Sequence, residues 1–135
     1  MRINQLKKKK ILVIDDDELH LYTTRELLQD EDCEVISHKS NYGIGVTNLV
    51  RELQPDLILL DINMPGISGE QLAKLLRWRN TPFVFYSSND EDSLRESALR
   101  HGAKGYICKG NIVELKNIVK KYLAKSTFDD MTISV

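Results

Sequence analysis

Five side chains in this chain stand out for the chemistry they could share. Asp15 and Asp16 are adjacent carboxylates at the end of the apolar run Ile11-Leu-Val-Ile14. Asp61 ends the run Leu57-Ile-Leu-Leu60, Ser87 ends Phe83-Val-Phe-Tyr86, and Lys109 ends Tyr106-Ile-Cys108. Two carboxylates held against a buried strand would repel a third nearby, raising a pKa unless a cation intervenes. Mg²⁺ suits such a place, because it prefers oxygen ligands and needs only one or two protein carboxylates beside water and a phosphate oxygen. A carboxylate can also attack phosphorus and form an aspartyl phosphate. Phosphoryl transfer then demands positioning and neutralisation of the equatorial oxygens. The cation, the Lys109 ammonium, and the Ser87 hydroxyl with nearby backbone N–H groups could supply it. Asp61, alone at the end of its run, is the best-placed nucleophile, and the small Ser88 leaves room for the approach.

These residues share one place only if the apolar runs are neighbouring strands. The four runs are apolar on both alternating faces, as a sheet covered by helices on both sides requires. Cys33-Glu-Val-Ile-Ser37 alternates more weakly and suits an edge strand. Helix-period segments lie between, at Leu19–Leu28, Val46–Leu53 and Leu72–Trp78. A fourth is marked by Leu94, Ala98 and Leu99 after the acidic start Asp90-Glu-Asp92, and a fifth by Val113, Leu115, Ile118, Val119 and Leu123. Gly43 and Gly45 weaken the start of the second helix. A strand followed by a helix, five times over, predicts an α/β fold, a doubly wound parallel sheet with helices on both faces. In such sheets ligands bind outside the carboxyl ends of the strands, where all five reactive groups fall.

Composition narrows the function class. The 135 residues suit one domain, and 41% hydrophobic with 29% charged residues argues against disorder. Nineteen basic against twenty acidic residues give a net charge of -1, so no basic field favours nucleic acid or a membrane surface. No apolar run approaches the roughly 20 residues of a membrane span. Met1–Lys10 is basic but precedes only four apolar residues, too few for a signal-peptide core, so the expected location is cytoplasmic. Cys33 and Cys108 have neither metal-like spacing nor a disulfide framework.

Taken together, Ile11-Leu-Val-Ile-Asp-Asp16, Pro55-Asp-Leu-Ile-Leu-Leu-Asp61, Ile62-Asn-Met-Pro-Gly-Ile-Ser-Gly69, Pro82-Phe-Val-Phe-Tyr-Ser87 and Gly102-Ala-Lys-Gly-Tyr-Ile-Cys-Lys109 resemble the receiver domain of bacterial two-component response regulators, the CheY-like fold. The resemblance spans about residues 9 to 124, which sets a domain at 1–125 and leaves 126–135 as a tail or linker stub. It implies a flavodoxin-like five-stranded sheet of order 2-1-3-4-5. Asp61 matches the phosphoacceptor, and Asp15 and Asp16 the metal-binding acidic pair. Asn63 matches the residue whose backbone carbonyl joins the Mg²⁺ site. Ser87 matches the switch hydroxyl, Lys109 the lysine that contacts the phosphoryl group, and Tyr106 the switch aromatic. The implied donor is a histidine kinase or histidine phosphotransfer protein, and the implied output is a partner-binding surface on helix 4, strand 5 and helix 5, with a homodimer possible.

The chain departs from the family pattern at Gly110, where the family usually has proline after a cis peptide, and at Ser88, where alanine is commoner. Without proline a cis bond is not expected, and glycine leaves the loop free to take another path. A pseudo-receiver that no longer accepts phosphate is one alternative. A phosphatase of the haloacid dehalogenase type is another, but it would place a carboxylate at position 63, where Asn stands. An FMN binder would need a phosphate-cradling loop, and Asp15-Asp-Asp-Glu18 occupies that place. Asp17 and Glu18 read as helix-start residues, and His20, His38 and His101 as surface or helix-face histidines. Cys108 and Trp78 read as packing residues, Lys7–Lys10 as a solvated terminus, and Asn89 as a residue that could influence water attack on an acyl phosphate.

Overall fold

Ile11 and Val13 enter one apolar cluster while Leu12 and Ile14 enter another, so a single strand feeds two cores. The computed structural model describes residues 8–40, 42–77 and 80–124. Lys7, Trp78 and the proposed tail 126–135 lie outside the described residues. The elements are β1 (Lys9–Asp15), α1 (Glu18–Leu28), β2 (Cys33–Lys39), α2 (Val46–Leu53), β3 (Leu57–Leu60), α3 (Gly69–Leu76), β4 (Phe83–Ser87), α4 (Glu91–His101), β5 (Tyr106–Cys108) and α5 (Ile112–Leu123). The five strands form one sheet in the order β2-β1-β3-β4-β5. Every neighbouring pair is parallel, as the resemblance implied. The weakly alternating segment is indeed an edge strand.

The alternation assigns the helices to faces. Leu12, Ile14, Ile58, Leu60 and Phe85 pack with residues of α2, α3 and α4. Ile11, Val13, Leu57, Leu59, Val84, Tyr86 and Ile107 pack with residues of α1 and α5. All four residues of β3 are fully buried, which explains why this strand has no polar face. Burying each such aliphatic side chain contributes about 1.5–3 kcal/mol, so both clusters hold the sheet strongly.

Helix starts follow local capping chemistry. Asp17 caps α1, its carboxylate accepting from the N–H groups of Leu19 and His20. Ser68 and Gln71 form a reciprocal capping box, which starts α3 at Gly69, earlier than the apolar period indicates. Asp90 caps α4 and Asn111 caps α5. No side chain caps α2, which begins directly after Gly45. Leu99 and Val113 fit the helical period but are 80% and 70% exposed, so they lie beside the apolar stripe and not in it.

Backbone hydrogen bonds set the rim. The Asp61 N–H donates to the Ile14 carbonyl at 3.0 Å, which brings Asp61 beside the end of β1. The Lys109 N–H donates to the Ser87 carbonyl at 2.8 Å, which brings Lys109 beside the end of β4.

Candidate functional site

Asp15, Asp16 and Asp61 each offer a carboxylate oxygen, and the three oxygens lie within 4.8 Å of one another. Asp15 and Asp61 are buried and Asp16 is half-buried. The Lys109 ammonium stands between the two buried carboxylates, 3.0 Å from Asp15 Oδ2 and 3.3 Å from Asp61 Oδ2. The rim predicted from strand ends thus brings together three acids and the amine.

The two buried acids are not equivalent. Burial pushes the Asp15 carboxyl up, but hydrogen bonds from His20, the Asp17 N–H and Lys109 outweigh it and hold the group below the ordinary carboxylate range. Asp61 goes the other way. Burial and the neighbouring Asp15 charge raise its pKa, and Lys109, Ser87 and the Asn63 N–H offset only part of that. Burial disfavours the Lys109 ammonium, yet its contacts with Asp15 and Asp61 leave its pKa raised, so it stays charged.

Ser87 is fully buried. Its hydroxyl donates to Asn89 Oδ1 at 3.3 Å and accepts from Asn63 Nδ2 at 3.4 Å, while Asn63 also donates to Asn89. The Asn63 backbone N–H donates to Asp61 Oδ1 at 3.3 Å. Asn89 therefore belongs to the site through contacts with both residues. Tyr106 stands apart. Half-buried on the α4 side of the sheet, it donates its hydroxyl to Glu91 Oε2 at 3.3 Å, at the start of α4.

Sequence reasoning missed His20. Its Nδ1 lies 2.8 Å from Asp15 Oδ2, and its ring packs at 4.8 Å from that of Tyr86. It is a helix-face histidine, as expected, but the face it occupies is turned toward the acidic site. His101 is also mostly covered, with Nε2 at 3.6 Å from Glu70 Oε2 and an edge contact on Phe85. At Gly110, φ is 98°, and no cis peptide occurs among the described residues. The loop after Lys109 has therefore taken a path that glycine permits. Asp17 is the helix cap expected of it, and Glu18 forms an exposed pair with Lys39 at 3.6 Å.

The donor set fits a hard divalent cation. It consists of oxygens, two of them on buried carboxylates whose mutual repulsion a cation would relieve. No helix among the described residues is long and apolar enough to cross a membrane.

The chain is 31% identical over 124 residues to the polar-differentiation response regulator DivK of Brucella ovis, covering 85% of this chain and 96% of that protein. It is similar in structure to the response regulator TrrA of Thermotoga maritima in complex with Mg²⁺-BeF, with a TM-score of 0.69 and 31% identity over 84% of this chain and 98% of that one. The signal receiver domain of a LuxO repressor protein from Vibrio parahaemolyticus shares the fold, with a TM-score of 0.81 at 19% identity over 93% of this chain and 98% of that one. The family model for the response regulator receiver domain matches residues 11–121. The chain belongs to that family, the CheY-like receiver domains of two-component signalling.

Proposed function

We propose that the protein accepts a phosphoryl group on Asp61 from a phosphohistidine donor, a histidine kinase or histidine phosphotransfer protein. The observation that carries this reading is the Asp61 carboxylate, buried among two acids and 3.3 Å from the Lys109 ammonium. In the transfer, an Asp61 carboxylate oxygen forms a bond to phosphorus while the phosphorus–nitrogen bond breaks. The leaving imidazole keeps that electron pair and takes up a proton. Asp15, Asp16 and Asp61, with the Asn63 backbone carbonyl, would hold Mg²⁺. When bound, the ion neutralises charge on the transferring phosphoryl group.

The chain's own groups do the rest. Lys109 contacts one phosphoryl oxygen and the Ser87 hydroxyl another. To do so, Ser87 must leave Asn89, 3.3 Å away. Tyr106 pairs with Phe85 across β4 and β5 and donates to Glu91 of α4. A change at Ser87 therefore has a short route to the α4-β5-α5 surface, whose two states phosphorylation would repopulate.

The test is the intact mass after incubation with Mg²⁺ and a small acyl-phosphate donor, for wild type and Asp61→Asn. One added phosphoryl group that requires Mg²⁺ and is absent from Asp61→Asn supports the assignment. A gain that persists in Asp61→Asn assigns the wrong nucleophile. No gain in either protein, where a known receiver is modified, favours a pseudo-receiver.

A further inference from the structure

The acidic rim has a member that neither the strand ends nor the receiver motifs mark. His20 lies in the first turn of α1, five residues after Asp15. Two of its polar groups point into the acidic loop. Its backbone N–H donates to Asp17 Oδ1 at 3.4 Å, and its ring Nδ1 lies 2.8 Å from Asp15 Oδ2. An ionised carboxylate can only accept, so Nδ1 carries the hydrogen of that bond.

The ring is fixed from behind. It packs against Tyr86, which is 3% exposed. The Tyr86 hydroxyl accepts from Thr24, which is fully buried one turn further along the same helix. Thr24, Tyr86, His20 and Asp15 thus form a continuous contact line from the body of α1, across β4, to the end of β1.

The acceptor positions on Asp15 show what the line achieves. A carboxylate oxygen has two lone-pair sites. On Oδ2, one faces His20 at 2.8 Å and the other Lys109 at 3.0 Å. On Oδ1, the Asp17 N–H takes one at 2.9 Å. Among the described residues one acceptor position remains uncommitted, and it is on Oδ1. Lys109 is a long, rotatable amine that also contacts Asp61. The imidazole on Oδ2 and the Asp17 N–H on Oδ1 together fix the carboxylate plane.

We propose that His20 is a positioning residue of the divalent-cation site. Its Nδ1–H orients Asp15 so that the carboxylate presents a single oxygen, Oδ1, to Mg²⁺. This rests on the Mg²⁺ reading of the acidic cluster. Partners that orient a ligand in this way typically change metal affinity about 10–100-fold when removed.

The test is calorimetric titration of the full chain with Mg²⁺ alone, with circular dichroism confirming the fold of each variant. His20→Phe keeps a ring against Tyr86 and loses the donor, and His20→Leu is a second donor-free variant. His20→Asn restores an N–H at the position of Nδ1 and loses the ring. We expect His20→Phe and His20→Leu to bind Mg²⁺ about tenfold more weakly or worse. His20→Asn should recover most of the loss. Wild-type affinity in a folded donor-free variant would overturn the proposal. So would His20→Asn binding as weakly as His20→Phe, since ring packing and not the hydrogen bond would then be responsible. If folded wild type itself shows no Mg²⁺ binding, the metal reading fails first and the role of His20 falls with it.

Discussion

Gly69 lies so close to Asp61 that a Cβ on the glycine would stand 2.0 Å from the Asp61 backbone carbonyl oxygen. The first residue of α3 is thus packed directly on the backbone that carries the candidate nucleophile. Gly69→Ala forces that backbone or the helix to move, at a cost of about 1–3 kcal/mol or more. A lower urea midpoint, together with weaker Mg²⁺ binding by titration, is the expected outcome. An unchanged midpoint would mean that the loop gives way freely.

Lys109 separates two buried carboxylates by occupying the space between them. In Lys109→Met the acids face each other without an ammonium, and a divalent cation becomes their main source of compensation. Added Mg²⁺ should therefore raise the melting temperature of Lys109→Met by about 3 °C more than that of wild type, roughly 1 kcal/mol in a domain of this size. Thermal unfolding with and without Mg²⁺ reads this directly.

Asp61 carries a pKa above its unfolded value of 3.8, so its ionised form opposes folding. The native state binds its proton more tightly than the unfolded chain does. Stability is therefore lost at this residue as pH rises from the unfolded pKa through the folded one. Asp61→Asn should raise the denaturation midpoint of the metal-free protein at neutral pH. The gain should shrink in acid, as wild-type Asp61 itself becomes protonated. Midpoints measured in chelator at several pH values test the sign.

Gly110 has a φ of 98°, whereas proline is fixed near -65°. Restoring the family's proline by Gly110→Pro should therefore destabilise this chain by at least about 1 kcal/mol. It should also displace Lys109 and lower the phosphorylated fraction in the acyl-phosphate assay. Stability equal to wild type would show that the loop can adopt the family's usual path.

Asp15, Asp61, Ser87 and Lys109 were legible in the sequence because each terminates an apolar run, and parallel strands bring their carboxyl ends to one rim. His20 was not legible. It ends no strand, and its contact with Asp15 depends on the Asp17 cap drawing the start of α1 against β1. Gly69 ends one of the receiver motifs, but its packing on Asp61 is a matter of van der Waals distance, which the motif does not show. The apolar period alone starts α3 late, because the capping box at Ser68 precedes the first apolar residue of that period. Leu99 and Val113 show the limit of periodicity, which places residues near a buried stripe without saying whether they are covered.

Among the described residues the two apolar clusters lie on opposite faces of the sheet, α2, α3 and α4 on one side and α1 and α5 on the other. Substitutions such as Leu76→Ala and Val119→Ala, on opposite faces, should then add in their effects, as distant sites without shared partners do. The molecule has two separately editable halves. One face can accumulate changes that refit it to a new binding partner while the other keeps its packing, and the rim where the strands end is the part that both halves must continue to support.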